Sequence, residues 1–526
     1  MSTPIATGSD SGTSPRDHPD HGESTGDDRG RWRRQLSRRL LSWHLLGVGL
    51  ITAGTAAALA ALSVIRYRAG YSGLLDIGIF DQTVHAYAHF RAPHASILQV
   101  TGQHDPGLLQ LGDHFSPLLA LLAPLYWIHD SPETLQVAQA VLFALAVPPL
   151  WTATRRLLGT LAAYLVGLGF ALAWPLQTAA AFDFHEVALA VPVLAWTLER
   201  ALAGRHRQAA IVSLLLLLVK EDLGFVVAVL GLYLALRGSR RLGAWLAAGG
   251  LVAVAVTTQL LIPAFGGRSD RNWTYQHFGD TPGQAARHAL FQPVDALHFA
   301  ATPGAKWTLL GWLLLPVLFL PLLSPISLLA VPLLLERMFS SNPNYWATDY
   351  QYNAYLVVIL FFAAVDGADR LTRLPERLPA RLPARLPARW RVSLPGPLAA
   401  WGPRLVWPAL VVAVSVAILP HWPAWALTKR DYWAKAHDDR AYAPVIAHVP
   451  VGADVGTDGG IGAHLVSRTS RITMWPDGQH RYHHMRPAWI VTLTTIPGVD
   501  ALPSQGYRVT YRNGQFIVLH NPSLDR

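Results

Sequence analysis

Long apolar runs recur along the chain, and they decide what it can fold into. One is LSWHLLGVGLITAGTAAALAALSVI at 41–65. About 20 such residues cross a bilayer's hydrocarbon core. The chain is 51% hydrophobic and 14% charged, where a soluble protein carries about 25% charged residues. The reading is a polytopic α-helical membrane protein with about 11 transmembrane helices, and the lipid bilayer is its first partner. A large soluble helical domain would not supply so many uninterrupted runs. The formal net charge is +10, but the basic residues sit in short clusters between apolar runs. That pattern is the positive-inside signature of cytoplasmic loops, so no nucleic-acid partner is expected. With no cysteine, disulfides, thiolate metal sites and thiol nucleophiles are excluded.

Composition divides the chain. Residues 1–40 read as a disordered, basic cytoplasmic N-terminus, with RGRWRRQLSRRL at 29–40 facing the inner leaflet. Residues 41–370 form the transmembrane domain, with a long first outside loop at 66–130. In that loop HFSPLLALLAPLYWI is about 15 residues, a length for a re-entrant or interfacial segment. Residues 371–403 hold the RLPA repeat, whose prolines forbid a helix and give a stiff basic cytoplasmic linker. A last transmembrane helix covers 404–420. Residues 421–526 read as a small extracytoplasmic α/β or β-rich domain, with an Asn-Gly hairpin signal in RVTYRNGQFIVLH. The expected location is the plasma membrane, multi-pass, with the N-terminus cytoplasmic.

Ionisable groups near membrane depth are costly, and by default they mark function. In YSGLLDIGIFDQTVHAYAHF (71–90), Asp81, His85 and His89 fall at i, i+4, i+8. They form a polar stripe on a helix whose other face is apolar. Asp76 stands at the start of that helix, where a carboxylate also complements the N-terminus. Asp113 and His114 precede the short apolar run in GDHFSP. Asp183, His185 and Glu186 occupy the tip FDFHE. Lys220, Glu221 and Asp222 interrupt an apolar stretch from 211 to 236. Glu336, Arg337 and Asn342 lead from an apolar run into an aromatic, amide-rich loop. Asp76, Asp113 and His114, if brought together, would suit a divalent cation such as Mg or Mn.

Taken in order, D-x-G-I-F-D-Q (76–82), G-D-H-F-S-P (112–117), F-D-F-H-E (182–186), V-K-E-D (219–222), L-I-P-A-F (261–265), L-S-P (323–325) and S-S-N (340–342) resemble the motifs of a bacterial family of polytopic membrane proteins of unknown function. That family is grouped with the GT-C membrane glycosyltransferases. The resemblance implies a GT-C-like bundle and a sugar donor linked to polyprenyl phosphate. It implies a glycan, lipid or protein acceptor at the outer face of the membrane. By this resemblance Asp76 maps onto the catalytic acidic residue of the first outside loop, with Asp81 as its competitor.

Transfer from a lipid phosphate to a hydroxyl needs a general base, cations near the departing phosphate and a held acceptor. Asp76 is the expected base, and one displacement would invert the anomeric centre. Lys220 and Arg337 are the expected cations, with His185 behind them. Asp113, His114 and the aromatic loop are expected to place the acceptor. His85, Asp183, Glu186, Glu221, Asp222 and Asn342 complete the expected binding set. A lipid or solute transporter and a non-catalytic envelope scaffold are the competing readings.

Overall fold

The computed structural model describes residues 25–101, 108–373, 403–476 and 486–525. The Pro-rich linker expected at 371–403 falls almost wholly outside the described residues, as do residues 1–24 of the N-terminus. The first helix, α1 (Thr25–Arg68), starts well before the apolar run. Residues 25–40 are therefore helical, where disorder is expected from the sequence. The stretch from Arg31 to Leu41 is rich in Arg, Gln and Leu and lacks Gly and Pro, so propensity carries the helix outward from the apolar span.

Five helices among the described residues are long and apolar enough to cross a membrane: Ser42–Arg68, Pro132–Leu158, Thr160–Ala180, Arg240–Ala264 and Arg404–His421. Four shorter apolar helices accompany them: Pro117–Tyr126, His206–Leu218, Leu223–Leu236 and Ala305–Val317. Several apolar runs are thus broken into short helical pieces. Proline is one cause: Pro316, Pro321, Pro325 and Pro332 each open a 3-10 or helical turn, where the missing N–H costs nothing.

The 206–236 stretch breaks at Lys220–Asp222. Beyond it, α2 (Leu223–Leu236) packs antiparallel on α3 (Arg240–Ala264). Gly224 and Gly231 face Gly250 and Gly243, seven residues apart on each helix. A Cβ at Gly231 would meet the Ala247 amide, and one at Gly250 would meet the Gly224 carbonyl. In lipid, packing and not hydrophobicity joins helices, so small residues that let backbones approach make this hairpin.

A further helix, α4 (Ala354–Thr372), is buried along almost its whole length. Its apolar residues cover every side, the pattern of a core helix. Its charges come only in the last turns. There Asp366 takes Ser324 Oγ (2.7 Å) and Arg370 (2.6 Å), and Asp369 pairs with Arg373 (2.9 Å).

The C-terminal region is a five-stranded mixed sheet of order β2-β1-β3-β5-β4. Strand β1 (Asp454–Thr457) runs parallel to β2 (Arg471–Met474) and β3 (Trp489–Leu493); β5 (Phe516–His520) is antiparallel to β3 and to β4 (Arg508–Arg512). Asn513 and Gly514 connect β4 to β5, as the Asn-Gly signal predicts, and Asn513 Oδ1 accepts the Gln515 and Phe516 amides. Ile490, Val499, Leu502, Tyr507, Ile517 and Leu519 form a core of its own on one face. The sheet end docks on the first loop: the Ile472 amide donates to Ser96 Oγ (3.1 Å), and Tyr67 to the Ala463 carbonyl (3.3 Å).

Candidate functional site

The helix Leu74–Ala88 begins after Gly73, whose side-chain-free start offers no cap. Asp76 stands in its first turn, where the helix dipole favours a carboxylate. The Gly73 amide donates to Asp183 Oδ2 (2.8 Å), which fixes the helix start against the FDFHE tip. That tip brings His185 to Asp76, with Nε2 at 3.4 Å from Oδ1. His185 Nδ1 lies 3.1 Å from the Asp183 carbonyl, and its own amide donates to Gln139 Oε1 (3.1 Å). A carbonyl only accepts, so Nδ1 carries a hydrogen; a carboxylate accepts at Nε2, so the bonded ring is the imidazolium. Burial alone would lower the His185 pKa, but the Asp76 carboxylate and its hydrogen bond outweigh burial and raise it. Phe80 meets the ring edge-on and Phe182 stacks on it.

The next residue links the tip to the charged break. Glu186 Oε1 lies 3.6 Å from Lys220 Nζ, and both side chains are buried. Glu221 turns the other way, to His114 Nδ1 (2.7 Å) and the Phe115 amide (3.1 Å). Asp222 Oδ1 and Oδ2, Glu186 Oε2 and Asp183 Oδ1 are buried without a hydrogen-bond partner among the described residues. Burial pushes Asp183 up to about 6, the Gly73 and Ser72 bonds opposing it, and burial likewise raises Asp222 against the pull of Lys220. Four segments distant in sequence therefore meet: Asp76, the 183–186 tip, Lys220–Asp222 and His114.

The His114–Glu221 pair makes a pH-dependent clasp. Burial alone would lower His114, but Glu221 raises it to about 9; burial alone would raise Glu221, but His114 lowers it to about 2. A raised histidine stabilises fully below its unfolded pKa of about 6.5 and loses that contribution as pH rises through about 9. A depressed glutamate stabilises above about 4.5 and loses that contribution as pH falls toward about 2. The thermal midpoint of the detergent-solubilised protein should thus fall between pH 6.5 and 9, and His114→Gln should flatten that slope. An equal slope in His114→Gln would reject the clasp.

Other expected site residues go elsewhere. Asp81 is fully buried and does not line a cavity with Asp76: Tyr126 donates to Oδ1 (2.7 Å) and Ser467 to Oδ2 (3.1 Å). Burial lifts its pKa to about 6, with both hydroxyls opposing the rise. It joins the helix to the C-terminal domain, a role hidden in the sequence because Ser467 lies so far along the chain. His85 meets Asp130 (3.0 Å), and His89 folds back on the His85 carbonyl (2.9 Å). Asp113 pairs with Arg271 (3.1 Å) and its carbonyl takes Asn272 (3.1 Å). Arg337, an expected phosphate ligand, does not stand free for one. Its guanidinium is instead buried on the Leu333 carbonyl, one turn back on its own helix Val331–Phe339, and on the Tyr352 carbonyl of the segment after it, a main-chain acceptor that needs a donor. Asn342 Oδ1 accepts the Asn344 amide (3.0 Å) and caps its own turn. The expected metal set does not assemble: Asp76 faces His185, His114 faces Glu221 and Asp113 faces Arg271. Those residues do not fit a shared cation.

Sequence reading missed Gln139, although an amide inside the apolar run QVAQAVLFALAV is a signal of a buried partner. It also missed Arg271 and Tyr126, which carry no distinguishing pattern. Beside the charged break lies an apolar groove of about 760 Å³, walled by Phe225, Val229 and Leu232 on one side and Leu328, Val331 and Leu335 on the other; Asp222, Tyr275 and Glu336 also line it.

No curated protein matches the sequence. Among solved structures, the crystal structure of ArnT from Cupriavidus metallidurans in the apo state is similar, at 15% identity and a TM-score of 0.47, covering 92% of this chain and 98% of that one. The family described as "Predicted membrane protein (DUF2079)" matches residues 69–498. The chain belongs to that family of membrane proteins.

Proposed function

We propose that the chain is a GT-C-type membrane glycosyltransferase that moves a sugar from a polyprenyl-phosphate-linked donor to a cell-envelope acceptor at the outer face of the membrane. The observation that carries this reading is the chain of contacts Asp76–His185 and Glu186–Lys220, next to an apolar groove that Asp222 helps to line. Asp76, about 30% exposed, is the accessible end of that chain and takes the acceptor's hydroxyl proton. The acceptor oxygen then bonds to the anomeric carbon from the face opposite the phosphate. The bond from that carbon to the phosphate oxygen breaks, and polyprenyl phosphate leaves with the electron pair. One such displacement inverts the anomeric centre. Lys220 supplies positive charge toward the departing phosphate. His185 holds the Asp76 carboxylate in place. The groove takes the lipid tail, since its walls are apolar and its volume suits chain-like ligands.

Mass spectrometry of lipid-linked sugars and envelope glycans in a deletion strain tests this. One polyprenyl-phosphate sugar should accumulate while one glycan loses the corresponding unit, and re-expression of the wild-type chain should reverse both. Unchanged profiles would reject sugar transfer.

A further inference from the structure

Between α3 and the helix Ala305–Leu314 runs a segment that the transfer reading leaves unused. It folds into two short helices, Pro282–Phe291 and Pro293–Ala301, preceded by a loop that carries His277. His277 Nε2 and His288 Nε2 both point at one oxygen of Asp295, at 2.9 and 2.8 Å. The three ligand atoms come from the loop and from each helix in turn. Both rings are held by aromatic neighbours: His277 stacks on Phe299 (4.3 Å between centroids), and His288 meets Phe278 edge-on (5.3 Å). Phe278 is itself buried, so the rings cannot swing freely. The carboxylate is about 41% exposed, which leaves the convergence point open to an ion from solvent.

We propose that His277, His288 and Asp295 form a binding site for a divalent transition metal of the zinc type, with one or more positions left to water. Two imidazoles and one carboxylate suit zinc and its neighbours better than magnesium or calcium, which prefer all-oxygen shells. Ligand atoms around zinc, bonded at about 2.0–2.2 Å, lie roughly 3.3 Å apart in a tetrahedron. The two imidazole-to-carboxylate distances, 2.8 and 2.9 Å, fall about half an ångström short of that edge, and all three ligand atoms lie within 4.8 Å of one another. The second histidine cluster, His85 and His89 with Asp130, is less apt. There His89 and Asp130 are both exposed, whereas in the proposed site only His277 is.

The metal would act as a staple. The stapled segment is tied to its surroundings at both ends. Arg271 holds Asp113, Tyr275 lines the groove, and the Ser341 amide donates to the Thr274 carbonyl (2.6 Å). At the far end, Lys306 donates to the Phe299 (2.7 Å) and Met338 (2.6 Å) carbonyls. Binding would order the whole segment, whatever reaction it covers.

The test uses the full-length chain in detergent, carrying no polyhistidine tag and stripped with a chelator, titrated with Zn²⁺ alone. Isothermal titration calorimetry and elemental analysis should find one tight zinc per chain. His277→Ala and His288→Gln should each weaken it by more than the roughly 10- to 100-fold that loss of an outer-shell contact costs. Asp295→Asn, which keeps the side-chain shape, should do the same, and so covers the case of a histidine variant that fails to elute as a folded protein. Zinc should also slow proteolysis within 264–306 in the wild type and not in Asp295→Asn. A His85→Ala/His89→Ala variant should bind as the wild type does. No uptake by the wild type at micromolar zinc, or uptake that survives both His288→Gln and Asp295→Asn, would overturn the site.

Discussion

Asp76→Asn should lower sugar transfer by about 10²–10⁴-fold, the usual contribution of a positioned general base, while expression and thermal midpoint stay near wild type. Asparagine keeps the size, and its NH2 can donate to Nε2 of a neutral His185, so the 3.4 Å contact survives as a neutral hydrogen bond. It cannot take a proton from a hydroxyl. The side chain is about 30% exposed, so the lost ion pair is screened and costs at most about 1 kcal/mol. Rate and stability are therefore predicted to separate. The assay compares membranes with matched amounts of each variant, using lipid extract from the deletion strain as donor. Full activity in Asp76→Asn would refute the base assignment.

The second large effect is on stability. Lys220→Met should destabilise the protein by about 3–5 kcal/mol, the cost of leaving buried charges without their partner. Lys220 is the buried cation 3.6 Å from Glu186, and Asp222 and Glu336 lie within its electrostatic reach. Methionine fills the same stem volume and removes only the charge, so packing does not confound the result. Lys220→Arg should keep most of the stability. In Lys220→Met the added Glu186→Gln should recover part of the loss, because it removes one of the orphaned carboxylates; a double-mutant cycle reads the coupling. Thermal unfolding of detergent-solubilised variants measures it. A Lys220→Met protein as stable as wild type would mean that the cation does not bind the tip to the break.

Much of this arrangement is readable from residue chemistry alone. Charged groups in FDFHE and in KED are costly to leave unpaired near lipid, and the structure pairs Glu186 with Lys220 across the two motifs while Asp222 keeps no hydrogen-bond partner among the described residues. The Asn-Gly hairpin and the break at 220–222 follow from local rules. What fails does so because the partner is distant in sequence. Asp81 lies on the same helix as Asp76 but five residues on, which turns it to another side, where Tyr126 and Ser467 wait. Arg337 resembles a phosphate ligand until Leu333 and Tyr352 supply the carbonyls that hold it. The Asp76, Asp113 and His114 set looks plausible for a metal only while Arg271 and Glu221 are unseen. His277, His288 and Asp295 have no recognisable metal-ligand spacing in the sequence; a loop and two short helices bring them together.

In the proposed topology Asp76, the FDFHE tip and Lys220 share the extracytoplasmic side of the membrane. The chain contains no cysteine, so single cysteines report position without further engineering. Tyr71→Cys stands at an exposed position just before the helix that carries Asp76, and Arg205→Cys at an exposed turn after Ala190–Leu202. In intact cells a membrane-impermeant maleimide should label Tyr71→Cys at once and Arg205→Cys only after permeabilisation; labelling in the reverse order would contradict the account.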